Sequence, residues 1–328
     1  MTEMTYRNVG DSGLRISVVG LGCNAFGARI DQAGTHEVIS AALDHGITFF
    51  DTADMYGSGK GEEFLGRALG ERRQDIVLAS KFGMPTHGVN GPAWQALGSR
   101  SYLRRAVEGS LRRLGTDWID LYQFHQPDPL TPIEETLTTL ETLVEEGKIR
   151  YYGCSNFFSW QLADAMHVAR ALGLSGFVST QNEYSLYNRA AEAELVPACE
   201  HFGVGLLPYF PLAYGLLTGK YARDKDAPAG SRLAGSNETQ RLQSAEFDRV
   251  EALQDFADKA GVSLLDVAIG GLAAQPAVAS VIAGASRPEQ IAANVAAGLW
   301  VPTEEQLAEL NEINTTPVPG RSYAGYQR

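Results

Sequence analysis

The sequence predicts one closed α/β unit, a (β/α)8 or TIM barrel with an N-terminal β-hairpin cap, and three observations carry that prediction. Eight short apolar segments recur along the 328 residues, most of them followed by a stretch whose apolar residues return at helical spacing. Strands that are apolar on both faces belong to a parallel sheet covered by helices. Eight β/α repeats without a linker-like change in composition favour a closed barrel spanning residues 1–328 over an open sheet or two domains.

The elements follow in order. Met4 to Ser17 reads as the hairpin, because two short polar/apolar alternations flank Gly10-Asp11-Ser12-Gly13, residues that tolerate the positive φ of tight turns. The strand segments are Val18 to Gly22, Thr48 to Phe50, Ile76 to Ser80, Ile119 to Phe124, Ile149 to Cys154, Phe177 to Thr180, Val204 to Pro208 and Ser280 to Ala283. Helical faces show in Leu103, Val107, Leu111 and Leu114, and again in Ile133, Leu137, Leu140 and Val144. Two connections, Phe82 to Ser99 and Tyr221 to Asn237, are longer than the usual β/α loops and mark places where function or mobility concentrates.

Composition narrows the function. Hydrophobic residues make up 44% and charged residues 20%, enough to build a substantial core. A net charge of -12 without any long Lys/Arg run argues against a nucleic-acid partner. No segment has the roughly 18 apolar residues a membrane span needs, and the N-terminal residues lack a basic stretch leading into an apolar one, so a cytoplasmic location is expected. Cys23, Cys154 and Cys199 are odd in number and far apart, which predicts free thiols. The six histidines form no H-x-H or H-x-x-x-H pair, so no metal is expected.

Chemistry in such a barrel gathers at the C-terminal ends of the strands. Asp51, Lys81 and His125 each end an apolar strand there, and Tyr56 follows Asp51 on the adjoining loop. Carbonyl reduction needs a hydride on carbon and a proton on the developing alkoxide. A phenol can give that proton, and an ammonium beside it would draw its pKa, about 10 when unperturbed, toward neutrality. Lys81 could supply that charge, Asp51 could hold Lys81, and a neutral His125 could orient the carbonyl or relay the proton. Taken singly, each has a structural explanation: an ion pair, a satisfied core histidine, loop packing. Their joint placement favours catalysis.

At these residues the chain resembles the aldo-keto reductase superfamily, over Gly13 to about Asn294. Phe50-Asp51-Thr52-Ala53-Asp54-Met55-Tyr56-Gly57 with Glu62-Glu63-Phe64-Leu65-Gly66, then Ala79-Ser80-Lys81, then Asp120-Leu121-Tyr122-Gln123-Phe124-His125 are similar to its motifs. The resemblance implies a tetrad of Asp51, Tyr56, Lys81 and His125 with Tyr56 as general acid, and a nicotinamide coenzyme bound without a Rossmann fold. It implies that Ser155, Asn156 and Gln181 hold the carboxamide and that Tyr209 stacks on the nicotinamide. Phe210, Pro211, Leu212, Gly215, Leu217 and Lys220 would clasp the pyrophosphate. Gly284, Ser286, Arg287, Gln290 and Asn294 would form an adenosine 2'-phosphate site, so NADP(H) is implied ahead of NAD(H). The chain departs from better-known members at Phe210, Gly284 and Gln290, where Ser, Lys and Arg are common. The leading hairpin, the insert after the third strand and the Gly-Leu-Leu-Thr-Gly-Lys-Tyr run resemble most the bacterial branch related to potassium-channel β subunits.

The implied substrate is a small-molecule carbonyl compound, and Phe26, Met55, Trp94 and Phe157 are candidate walls of its pocket. Two other readings compete. Gly57-x-Gly59-x-Gly61 superficially resembles a dinucleotide fingerprint, but the third glycine is at the wrong offset and Lys81 stands where an acid should end the next strand. A redox-sensing regulatory subunit that binds NADP(H) and turns over slowly is the rival from a different functional class.

Overall fold

The computed structural model describes residues 3–92, 94–234 and 239–315. Its first two strands, β1 (Tyr6–Asn8) and β2 (Arg15–Ser17), pair antiparallel as the expected hairpin. Eight parallel strands follow: β3 (Val19–Gly22), β4 (Phe49–Asp51), β5 (Val77–Phe82), β6 (Ile119–Phe124), β7 (Ile149–Ser155), β8 (Ser179–Gln181), β9 (Gly205–Leu206) and β10 (Val281–Gly284). They hydrogen-bond in sequence order, with β10 returning beside β3. On the far side of β9 the Leu206 amide donates to Ala277 and the Leu206 carbonyl accepts from Ala279, with a parallel bridge from Leu206 to Val278. That seam closes the sheet into a (β/α)8 barrel.

The strands match the apolar runs to within a few residues. The sixth and seventh are the exceptions: Phe177 to Thr180 moves forward to Ser179–Gln181, and Val204 to Pro208 shrinks to two laddered residues. Pro208 has no N–H to give a ladder, which limits the second of these. The helix Arg100–Leu114 buries Leu103, Val107, Leu111 and Leu114 as expected; of the face expected in Ile133–Glu145, Leu137 and Leu140 are buried, Ile133 and Val144 are half-buried against the core, and Leu143 is buried as well.

Two apolar clusters result. One fills the space between the strands and the surrounding helices. The other lies inside the barrel, where hairpin residues Val9, Leu14 and Ile16 pack on Phe49, Ala79, Leu121, Leu207 and Ala279. The hairpin therefore plugs the N-terminal end, and chemistry is confined to the opposite mouth. All three cysteines are free and buried, and no helix among the described residues is long and apolar enough to cross a membrane.

Both long connections exist. The one after β5 runs to Ser99, and among its ties Asn90 Nδ2 donates to Asp54 Oδ2 at 2.6 Å and the Gly98 amide donates to Asp128 Oδ2 at 2.8 Å. The other is described from Tyr221 to Ala234; residues 235–237 of it lie outside the described residues.

Candidate active site

The site grows from a lysine that the barrel buries completely. Lys81, on β5, is 0% exposed. An ammonium carries three hydrogens and no acceptor, so inside a protein it needs three oxygen partners. Lys81 has them: Asp51 Oδ2 at 2.6 Å, the Thr52 carbonyl at 2.9 Å and the Tyr56 hydroxyl oxygen at 3.4 Å. Burial works against its charge, and the Asp51 carboxylate, then Tyr56, more than compensate, so its pKa lies above the ordinary lysine value. Lys81 therefore stays charged across the working range.

Because Lys81 can only donate, Tyr56 accepts in this contact, and its own phenolic hydrogen is left to point elsewhere. Tyr56 opens a tight turn, Tyr56–Gly59, in which Gly57 and Ser58 both take positive φ. Space requires glycine at 57: a Cβ there would meet the backbone of Phe26 and Gly27 at 3.0–3.1 Å. The charge effect expected from the sequence is reversed in net direction. Enclosure of the phenol raises its pKa, and the Lys81 ammonium, pulling it down, offsets only part of that rise. Tyr56 is thus protonated at neutral pH.

His125 directly follows β6 and is buried, with its ring edge-on to Tyr56 at 6.1 Å between centroids. Burial and then the Lys81 charge hold its pKa well below the ordinary histidine value, so the imidazole is neutral. Its carbonyl accepts from Asn156 Nδ2 at 2.9 Å, while Nδ1 has no partner among the described residues.

The next strands add a connected polar layer. Ser155 Oγ donates to the Gln181 carbonyl at 2.8 Å, Asn156 Nδ2 also reaches Ser155 Oγ, and Tyr209 donates its hydroxyl to Asn156 Oδ1 at 2.7 Å. Gln181 turns its amide inward, donating to Asp51 Oδ1 at 2.9 Å. Gln123, which the sequence reading passed over, donates to the same oxygen at 2.9 Å. Its only signal in the sequence is an amide in an otherwise apolar strand end, two residues before His125.

A second buried polar group, also missed, braces the Tyr56 turn from behind. Glu62 accepts from Ser80 Oγ at 2.5 Å and pairs with Arg113 at 2.7 Å, and Arg113 reaches Asn90, which holds Asp54. Burial, with Glu62 nearby, lifts the Asp54 carboxyl well above the usual carboxylate range.

Phe210 through Lys220 form a curled loop. Phe210, Ala213, Tyr214 and Gly215 all have positive φ, and the Gly215 and Leu217 amides both donate to the Leu212 carbonyl. Pro211 is buried in it. The Phe210 and Tyr214 rings lie 4.2 Å apart, with the Arg232 guanidinium 5.3 and 5.0 Å from them and Arg241 3.7 Å from Tyr214. The Lys220 amine lies near Gly215, 3.7 Å from where a Cβ on it would sit. At the end of β10, Gly284 is exposed, Ser286 donates its amide and hydroxyl to Gln290 Oε1, and Arg287 caps the helix Pro288–Gly298, in which Asn294 is buried.

The candidate pocket walls divide. Phe26 is fully buried, and Phe157 is buried with its ring packed between Phe124 and Phe177. Met55 is half-buried beside Tyr56, and Trp94 is 79% exposed on the long loop.

A β/α barrel whose open mouth holds a phenol, an ammonium, a carboxylate and a neutral imidazole carries the groups that acid–base chemistry needs. The aldo/keto reductase family model matches residues 18–315, and the chain belongs to that family of oxidoreductases. Among its relatives, a "probable voltage-gated potassium channel subunit beta" of Oryza sativa subsp. japonica is 38% identical over 90% of this chain and 91% of that protein. An "uncharacterized oxidoreductase YrpG" of Bacillus subtilis (strain 168) is 37% identical over 97% of both. The "versiconal hemiacetal acetate reductase" of Aspergillus parasiticus is 33% identical over 94% of this chain and 96% of that protein.

The buried ion pair makes a stability prediction. Replacing Lys81 with Met strands the Asp51 charge and should cost about 3–5 kcal/mol in urea unfolding at pH 7. The double variant Asp51→Asn/Lys81→Met should recover much of that loss. Simply additive losses would show that the two groups do not support one another.

Proposed function

We propose that this protein reduces aldehyde or ketone carbonyls to alcohols with NADPH, Tyr56 giving the proton to the carbonyl oxygen. The observation that carries the proposal is the Lys81–Tyr56 contact: the phenol oxygen accepts from a charged ammonium, which leaves the phenolic hydrogen free for another acceptor. When bound, the coenzyme supplies the hydride that goes to the carbonyl carbon. Tyr56 holds the matching proton, and Lys81 stabilises the phenolate left after transfer. A neutral His125 can give one N–H to the same carbonyl oxygen and fix its direction.

The chain's own residues fit the coenzyme. Ser155, Asn156 and Gln181 form one polar layer with the Tyr209 ring beside them; their amide and hydroxyl groups bond to one another and to Asp51, and a carboxamide would take over some of these bonds. The loop Phe210–Lys220 spends backbone strain, five positive φ values of which three are at non-glycine residues, on a concave run of backbone with Lys220 close by; such shapes bind anions. Phe210 would contribute backbone alone, its ring being occupied with Tyr214. Arg287 at the N-terminus of an eleven-residue helix supports a 2'-phosphate, and hence NADPH over NADH.

Two outcomes test this reading. Tyr56→Phe removes one hydroxyl and should lower reduction of an aldehyde panel about 10²–10⁴-fold while NADPH affinity, followed by fluorescence, stays close to wild type. Turnover retained by the variant would take Tyr56 out of the acid role, and a wild type inactive on every carbonyl would favour a binding subunit. Arg287→Ala should weaken NADPH binding about ten-fold and leave NADH unchanged; equal losses would refute the phosphate assignment.

A further inference from the structure

Asp51 is usually thought of as half of an ion pair, yet only one of its oxygens faces Lys81. Oδ2 takes the ammonium, and Oδ1 accepts two side-chain amides at the same distance, Gln123 Nε2 and Gln181 Nε2, each at 2.9 Å. Gln181 Nε2 also reaches Gln123 Oε1 at 3.2 Å. All three side chains are buried, Gln123 entirely. They come from β4, β6 and β8, alternate strands of the barrel, which is how one interior layer is filled. Gln123 also stands in direct register with Lys81 across the β5/β6 ladder.

A carboxylate with one oxygen unbonded can swing about its terminal torsion, which is broad and two-fold. Fixing Oδ1 therefore fixes the direction of Oδ2, and with it the ammonium. Lys81 meets Tyr56 at 3.4 Å, the outer edge of a hydrogen bond, so a small swing is enough to break that contact.

We propose that Gln123 is a positioning residue for carbonyl reduction: its amide locks Asp51 in the orientation that keeps Lys81 against the Tyr56 hydroxyl. The proposal rests on the reductase reading above and adds a residue to it. Gln123 touches none of the reacting atoms and acts through Asp51. Gln181 alone cannot do the same work, because it ends its strand and its amide is the one a coenzyme carboxamide would draw away, whereas Gln123 is entirely enclosed.

Two substitutions separate positioning from packing. Gln123→Leu keeps the bulk and removes the donor. Gln123→Glu keeps the shape and makes the donor conditional on a proton. The titratable groups around the introduced acid are Asp51, Lys81, Tyr56, Cys23 and His125. Burial and the Asp51 charge raise a carboxyl there, with Lys81 opposing, so it is protonated and donating at the acid end and repels Asp51 once it ionises.

The measurement is steady-state reduction of the best aldehyde from pH 6 upward, with NADPH affinity and the urea midpoint recorded for each protein. We expect Gln123→Leu to lower kcat about ten- to hundred-fold, the worth of one hydrogen bond to a charged group, with NADPH affinity retained. We expect Gln123→Glu to run near the wild-type rate at the acid end and to fall with a single ionisation toward the Leu level, an alkaline limb absent from wild type. If Gln123→Leu does not fold, the isosteric Glu variant decides alone. Wild-type kcat in Gln123→Leu, or a Gln123→Glu profile parallel to wild type, overturns the inference while leaving the reductase reading intact. A wild type that reduces nothing, by contrast, overturns the reading and the inference together.

Discussion

Burying an ammonium is expensive, and the mouth of this barrel is arranged around that expense. Lys81 lies out of reach of water, so each of its hydrogens must find an oxygen from the protein. Asp51 and Thr52 provide two from the end of β4, and Tyr56, a few residues on, provides the third. The requirement then passes outward. Asp51 is buried as well, and its second oxygen is satisfied by amides from β6 and β8. One charge thereby holds four strands in register at the point where a substrate must enter.

The same constraint explains the character of Tyr56. Enclosure keeps the phenol protonated, and the ammonium makes the phenolate tolerable once the proton has gone. A neutral His125 completes the arrangement without adding a competing positive charge. The turn that carries Tyr56 is itself pinned from behind by the Asp54, Asn90, Arg113 and Glu62 cluster, which joins the insert after β5 to the helices Lys60–Leu69 and Arg100–Leu114. Here the bonds run from one element to the next, with Asp54 Oδ1 left without a partner among the described residues.

Much of this was legible in the sequence because barrels place chemistry at strand ends, and strand ends can be read from where an apolar run stops. Asp51, Lys81 and His125 are each the first polar residue after such a run, and the structure brings them together with Tyr56. Gln123 was not legible in that way. It sits inside its strand, before the end, and its importance comes from a partner 72 positions away that no local pattern reveals. The direction of the Tyr56 shift was missed for a related reason: the sequence suggests a neighbouring charge but says nothing of how deeply the hydroxyl is enclosed. Aromatic residues near strand ends, such as Phe26 and Phe157, suit both a pocket wall and the core, and the sequence does not separate the two roles; the structure shows both rings buried.

In the proposed reaction Tyr56, held by Lys81, faces the carbonyl oxygen when proton and hydride transfer occur. A high-resolution structure with NADP and a carbonyl-bearing inhibitor tests it most directly. The account predicts the carbonyl oxygen about 2.6–3.2 Å from the Tyr56 hydroxyl, with Lys81 still bonded to both Asp51 and Tyr56. An inhibitor oxygen seated against some other donor, with Tyr56 out of reach, would contradict it.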